Sequence, residues 1–241
     1  MYEVPESQGP GSARPLRADA LENRDRILAA ARDVFVEQGA GAPLEDISRR
    51  AGTGIATLYR RFPDRQALMK AVVLDALQRS GDEARDAVDE ESDPFAALVR
   101  YMHRALDIRT AAVIPALLEV VPLDDEELRL ARDRGARLFD EMVDAAHRAG
   151  KLHPAVTAAD IGILIVRLSR PLPGTFPREL HDRLAHRHLD LVIEGLRAPT
   201  DREAAISGPA ISLAELQAMT PESRSEAAGD TARTGSAARS S

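Results

Sequence analysis

The stretch Leu44-Glu-Asp-Ile-Ser-Arg-Arg-Ala-Gly-Thr-Gly-Ile-Ala-Thr-Leu-Tyr-Arg-Arg-Phe62 constrains this chain more than any other. Its spacing predicts two short helices joined by a glycine-bearing turn and stopped by Phe62-Pro63, the arithmetic of a helix-turn-helix. Ile47 and Ala51, at i and i+4, give the first helix an inward face, and Gly52 and Gly54 flank the turn. Leu58 and Phe62 repeat that spacing, which leaves Thr57, Tyr59, Arg60 and Arg61 pointing outward. A hydroxyl, a phenol and two guanidiniums on one exposed helix suit phosphate oxygens and guanine edges. Spacing alone also admits an ordinary helical hairpin with solvated arginines.

The formal net charge of −7 is wrong for a polyanion partner until it is divided along the chain. Between Ser12 and Arg65 ten Arg stand against eight Asp or Glu, an excess of +2, and the remainder is acidic. Screening confines electrostatic reach to about 8–10 Å, so local charge decides where phosphate is attracted.

The rest of the 241 residues reads as helix. Ala, Leu, Arg and Glu dominate, and aromatics make up only 3%. There is no cysteine, which excludes disulfides and thiol catalysis. No apolar run approaches about eighteen residues and no signal segment opens the chain, so a soluble cytoplasmic protein without membrane contact is expected. Residues 1–18, rich in Pro, Gly and Ser, are expected to be a disordered arm. Arg14 and Arg17 there are either a minor-groove arm or part of a solvated tail. Helices are expected from Asp19 to Gln38, closed by Gly39, and from Asp64 to about Ala87. A third opens at the Asp93-Pro94 cap and runs to Ile108. An apolar run, Ala111–Val121, is broken by Pro115, and Asp124 is expected to cap a helix that ends at Gly150. Thr157 with Asp160 forms a capping box ahead of Ala158–Ser169, and Arg178–Arg197 is the last long helix. Residues 199–241 are expected to be a disordered tail, although Ser212–Met219 has the pattern of one or two helical turns.

Arg24-Asp-Arg-Ile-Leu-Ala-Ala-Ala-Arg-Asp-Val-Phe-Val-Glu-Gln-Gly39 precedes the helix-turn-helix, and Pro63-Asp-Arg-Gln-Ala-Leu68 follows it. With Thr57-Leu-Tyr-x-x-Phe62 between them, the segment from Arg24 to Leu68 closely resembles the tetracycline-repressor (TetR) family of transcriptional regulators. The resemblance implies an all-α fold. A three-helix DNA-binding domain at 19–63 would precede a helical effector-binding and dimerisation domain at 64–198. It assigns DNA contact to Ile55, Ala56, Thr57, Tyr59, Arg60, Arg61 and Arg65. Thr57, Tyr59 and Arg61 would take phosphates; the apolar Ile55 and Ala56 face base edges and leave hydrogen-bonded readout to Arg60. Three departures stand out. Ala42-Pro43 replaces a common Thr-Thr, Arg61 stands where many members have histidine, and Gly54 stands where many have serine.

Ile161, Leu164, Ile165 and Leu168 form an apolar stripe, and Leu184, Leu189 and Val192 lie in the last helix. Helices apolar over such wide arcs need partners on several sides, either a second copy in a four-helix interface or a deep monomer core. Candidate effector-pocket residues are Met102, His103, Leu106, Phe139, Met142 and Arg167. A buried Arg167 would pair internally, with Glu119 or Asp140, or meet an acidic ligand. His181, His186 and His188 lack the i, i+3 or i+4 spacing of a helical metal pair, and they are expected at the surface or an interface. His147 and His153 flank a helix end. No metal or cofactor is expected, and no phosphate loop, nucleophile elbow or catalytic triad spacing suggests an enzyme. The resemblance implies a homodimeric repressor released from a palindromic DNA operator by a small-molecule effector. A ligand-independent architectural DNA binder and an activator are the alternatives.

Overall fold

The computed structural model describes residues 13–117, 120–121, 125–170, 177–198, 210–212 and 215. Among these, nine helices follow one another: α1 (Ala13–Gln38), α2 (Leu44–Arg50), α3 (Ile55–Arg61), α4 (Arg65–Glu90), α5 (Pro94–Ile108), α6 (Thr110–Leu117), α7 (Glu126–Arg148), α8 (Ala158–Leu168) and α9 (Arg178–Leu196). The class is all-α, as the composition demands.

The chain divides into two compact units. One holds Met1–Ala76 with Ala112–Leu128, the other Leu77–Ala111 with Arg129–Ser241. The division therefore falls inside α4 and not at the expected 63/64 border. In the first unit Ile27, Leu28 and Phe35 of α1 are buried together with Ile47, Leu58, Phe62, Leu68 and Val72. Burying each such side chain is worth about 1.5–3 kcal/mol. Arg32 of α1 reaches Asp75 of α4 over 2.9 Å, with both side chains nearly buried.

Several ends follow their local chemistry. Gly39 and Gly150 take positive φ, at 81° and 66°. The Asp93 carboxylate accepts from the backbone N–H of Phe95 and Ala96. The Thr157–Asp160 capping box is complete. Two other ends differ. The head of α7 is capped by Asp125, whose Oδ1 accepts from Glu127 N at 3.1 Å, and the expected cap Asp124 lies outside the described residues. α1 starts at Ala13, so Arg14 and Arg17 stand in helical backbone and not in a disordered arm. Pro15 falls in the first turn, where its missing N–H costs nothing, and Leu16, Ala18 and Ala20 favour helix beyond it. Residues 1–12 of that arm are outside the described residues.

In the second unit Phe95, Leu98, Tyr101 and Met102 of α5 share a core with Phe139, Met142 and Val143 of α7. Ile161 and Ile165 of α8 and Leu189, Ile193 and Leu196 of α9 complete it. Tyr101 donates to or accepts from Ser80 Oγ at 2.9 Å, and burial pushes its phenol up from the ordinary value. The loop after α7 is clasped to the end of α9: His153 N donates to Leu196 O and Ala198 N donates to Lys151 O, each at 2.9 Å. His153, one of the two histidines flanking the end of α7, is itself buried. Most of 199–241 lies outside the described residues. Ser212 and Glu215 nonetheless make a reciprocal cap, and Thr157 Oγ1 donates to Ile211 O at 3.0 Å. Ser212 and Glu215 fall where the sequence pattern allows one or two helical turns.

Candidate nucleic-acid interface

α2 ends in a Schellman turn: Gly52 N donates to Arg49 O at 3.2 Å and Thr53 N to Ser48 O at 3.0 Å. The motif places Gly52 at φ 63°, the left-handed region that favours glycine. Gly54 is different. Its φ of −73° and ψ of 144° are open to any residue, and it caps α3 with its backbone alone. Pro43 sits at the cap position of α2, one residue before the expected first turn, and Asp46 N donates to its carbonyl at 3.1 Å.

Leu58 and Phe62 are buried, which fixes the rotation of α3 and sends the opposite face to solvent. Tyr59 is 47% exposed, and Ala56, Arg60 and Arg61 are exposed as well. Thr57 is half-buried, and its Oγ1 accepts from Arg60 Nη2 at 2.8 Å. Ile55 is half-buried, so Ala56 is the more open of the two apolar side chains. Arg49 pairs with Asp46, and Arg50 reaches Glu37 of α1 over 2.8 Å. That hydrogen bond to Glu37 raises the Arg50 guanidinium above its ordinary value. The two arginines ending α2 are thus occupied, while Arg61 makes no described ion pair. Arg65 does something the sequence did not suggest. Its Nη1 donates to Ala40 O at 2.9 Å and to Ala42 O at 2.6 Å, buttoning the α1–α2 turn to the head of α4.

The residues expected to line an effector pocket are less united. Met102, Leu106, Phe139 and Met142 lie together in the core of the second unit. His103 points instead toward α9, where it meets His186 and Asp190. Arg167 is exposed, not buried. It stands two residues from the buried Ile165, about 200° around the helix and so on the opposite face. Asp140 is not its partner: burial and the charge of Asp144 raise that carboxyl, with no cation among the causes. Glu119 lies outside the described residues.

The expected dimer residues divide too. Ile161, Ile165 and Leu189 are buried within the chain itself, and Leu164, Leu168 and Val192 pack half-buried against the same core. Leu184 is half-buried, and Leu191, which the expected set omitted, is 64% exposed. A helix apolar on both sides does not declare which side faces in; the Leu189, Ile193, Leu196 row took the core.

Comparison with known proteins agrees with this geometry. The family described as "Bacterial regulatory proteins, tetR family" matches residues 27–72, and "Transcriptional regulator SbtR-like, C-terminal domain" matches residues 93–198. An HTH-type transcriptional regulator of Staphylococcus aureus (strain USA300) is 31% identical over 132 residues, 54% of this chain and 68% of that relative. The crystal structure of a TetR transcription regulatory protein from Mycobacterium vanbaalenii is 32% identical, with a TM-score of 0.55 over 76% of this chain and 99% of that one. A TetR transcriptional regulator from Streptomyces coelicolor is 33% identical, with a TM-score of 0.53 over 74% and 99%. The helix-turn-helix with its solvent-facing α3 and the helical unit that follows it in sequence are each matched, and the chain belongs to the TetR family of transcriptional regulators.

Proposed function

We propose that the protein is a homodimeric repressor that holds a palindromic double-stranded operator and leaves it when a small molecule binds. The observation that carries this reading is the outer face of α3, where Ala56, Tyr59, Arg60 and Arg61 are open to solvent on one rigid helix. Arg60 supplies base readout, Ala56 packs on thymine methyls, and Thr57, Tyr59 and Arg61 take phosphates. Arg65 acts at one remove, by fixing the turn ahead of α2.

Dimerisation is supported by a row on α9. Leu184, His188, Leu191 and Gly195 recur at i, i+4, i+7 and i+11, and Leu191 is 64% exposed. Gly162, Ile163 and Val166 continue an apolar face on α8. A two-fold pairing of these helices gives the dimer two copies of α3, one for each half-site of a palindrome.

The effector site we favour is a groove of about 430 Å³ in the second unit. Val88, Pro94, Ala97, Leu138 and Met142 line it with apolar groups, beside the charged Arg85, Arg148, Asp89 and Glu141. A ligand that binds better to the arrangement unable to reach two adjacent major grooves draws the population off DNA. Footprinting on the promoters of its own and the neighbouring reading frames tests the reading. A symmetric footprint that collapses on adding one metabolite supports it; a footprint insensitive to all metabolites, or transcription that rises with protein, overturns the repressor assignment.

A further inference from the structure

Helices α4 and α7 approach each other at a pair of glycines: a Cβ built on Gly81 would stand 4.0 Å from the Cα of Gly135. Farther along, the segments that follow the two helices are tied by an ion pair between Asp93 and Lys151. The groove of about 430 Å³ takes its lining from between these two ties, down to the last turn of each helix. Its volume is that of a small-molecule site. Five of its lining side chains are charged, and three of them are already answered. Arg85 reaches Asp82 over 3.0 Å, and Glu91 lies 3.6 Å from Arg100. Arg148 stands at the carbonyl end of α7, where the helix dipole favours a cation. Asp89 of α4 and Glu141 of α7 remain, one carboxylate on each helix, with no cation beside them among the described residues.

We propose that the occupant of this groove is a protonated primary or secondary amine carrying an apolar body, an inference that rests on the groove being the effector site. An apolar body that displaces water from Val88, Leu138 and Met142 strips hydration from the two carboxylates beside them. A neutral ligand leaves that loss uncompensated, and an anion adds repulsion to it. A cation repays it. The kind of cation follows from what the lining lacks. None of the described lining residues is aromatic, so the cage of ring faces that holds a quaternary ammonium is missing. Carboxylates offer hydrogen-bond acceptance instead, and only a nitrogen that still carries hydrogen can use it. Asp89 and Glu141 therefore select an ammonium with N–H groups, and the apolar side chains take the rest of the molecule.

The test titrates the full chain by calorimetry, at physiological salt, with three probes of equal chain length: octylammonium, octyltrimethylammonium and octanoate. The expected result is one octylammonium per chain, bound about tenfold or more tightly than either other probe. Asp89→Asn and Glu141→Gln should each weaken it about threefold and together about tenfold, while keeping the wild-type circular dichroism. Asp86→Asn, at an exposed carboxylate outside the lining, should bind as wild type, which separates the groove from general attraction to an acidic chain. Equal or tighter binding of octanoate or octyltrimethylammonium overturns the proposal. So does an octylammonium affinity unchanged in the double variant, and so does the absence of binding. A footprint on the operator that survives saturating octylammonium, with binding otherwise as expected, sustains the amine site and overturns instead the groove's role as effector site.

Discussion

Arg60 donates from Nη2 to Thr57 Oγ1 across 2.8 Å, so its guanidinium is held along the outer face of α3 before any ligand arrives. The neighbouring Arg61 has no such tether among the described residues. The two should fail differently. Arg60→Ala is expected to cost about 1–3 kcal/mol on the operator and to relax preference at one base pair, with little effect on random DNA. Arg61→Ala should weaken all sequences alike and reduce the slope of log K against log salt by about 0.9. Anisotropy titrations at several salt concentrations distinguish them; identical profiles for the two variants would remove the division of labour.

The two glycines of the turn predict opposite outcomes. A Cβ at either position meets nothing within 4 Å, so only the backbone decides. Gly52→Ala, forced to φ 63°, should cost about 1 kcal/mol. Gly54→Ser should gain a few tenths of a kcal/mol, because the new hydroxyl can cap α3, which now has no side-chain cap. Urea denaturation measures both.

Neighbouring leucines on α9 separate folding from assembly. Leu189 is fully buried and Leu191 is 64% exposed. Leu189→Glu should unfold the second unit, since an unpaired buried charge costs several kcal/mol. Leu191→Glu should keep its helical dichroism, sediment as a monomer and lose the operator. A Leu191→Glu protein that sediments like wild type and still binds DNA would show that this row is not the interface.

Arg109 is the only non-glycine residue at positive φ among those described, at 58°. It holds that conformation at the end of α5 while its Nη2 reaches Asp182 of α9 over 2.7 Å. Arg109→Ala removes the ion pair and keeps the strain; Arg109→Gly removes both. The glycine variant should therefore be the more stable by about 1 kcal/mol. Equal melting temperatures would mean that the left-handed backbone stores no strain at this position.

Acid should loosen two helix heads. Lys151, and then the Phe95 N–H, hold the Asp93 carboxyl below the usual carboxylate range, and Lys70 does the same for Asp125. A carboxyl with a depressed folded pKa adds stability above its unfolded value of about 3.9 and loses it as pH falls through the folded value. Lys70 is raised by Asp125, so its share persists below its ordinary value of 10.5 and vanishes only as pH climbs past the folded one. The melting temperature should thus fall below about pH 4, and less steeply in Asp93→Asn. High salt should blunt the effect, because these groups are partly open to solvent.

Local chemistry was legible and facing was not. Asp93, Thr157–Asp160, Gly39 and Gly150 announce helix ends because a cap needs only its own few residues. The rotation of α3 was readable for a similar reason, since Leu58 and Phe62 are its only strongly apolar inward pair. α8 and α9 carry apolar groups around most of their circumference, so the sequence could not tell that Arg167 would face water or that Leu191 would stay out. The His103–His186 contact spans 83 positions, and no local pattern encodes it. The resemblance assigned Arg65 to DNA contact, and nothing near it in sequence names two backbone carbonyls as its partners.

The clasp between Leu196 and His153 and the inward row of α9 bear on how the chain is made. Phe95, Leu98 and Tyr101 share their core with residues translated about a hundred positions later. At roughly 5–20 residues per second, that surface waits about 5–20 s on the ribosome for its cover. The helix-turn-helix needs no such delay for its short-range contacts. A message truncated before α9 should yield aggregates or chaperone clients, and not a regulator that merely lacks its last helix.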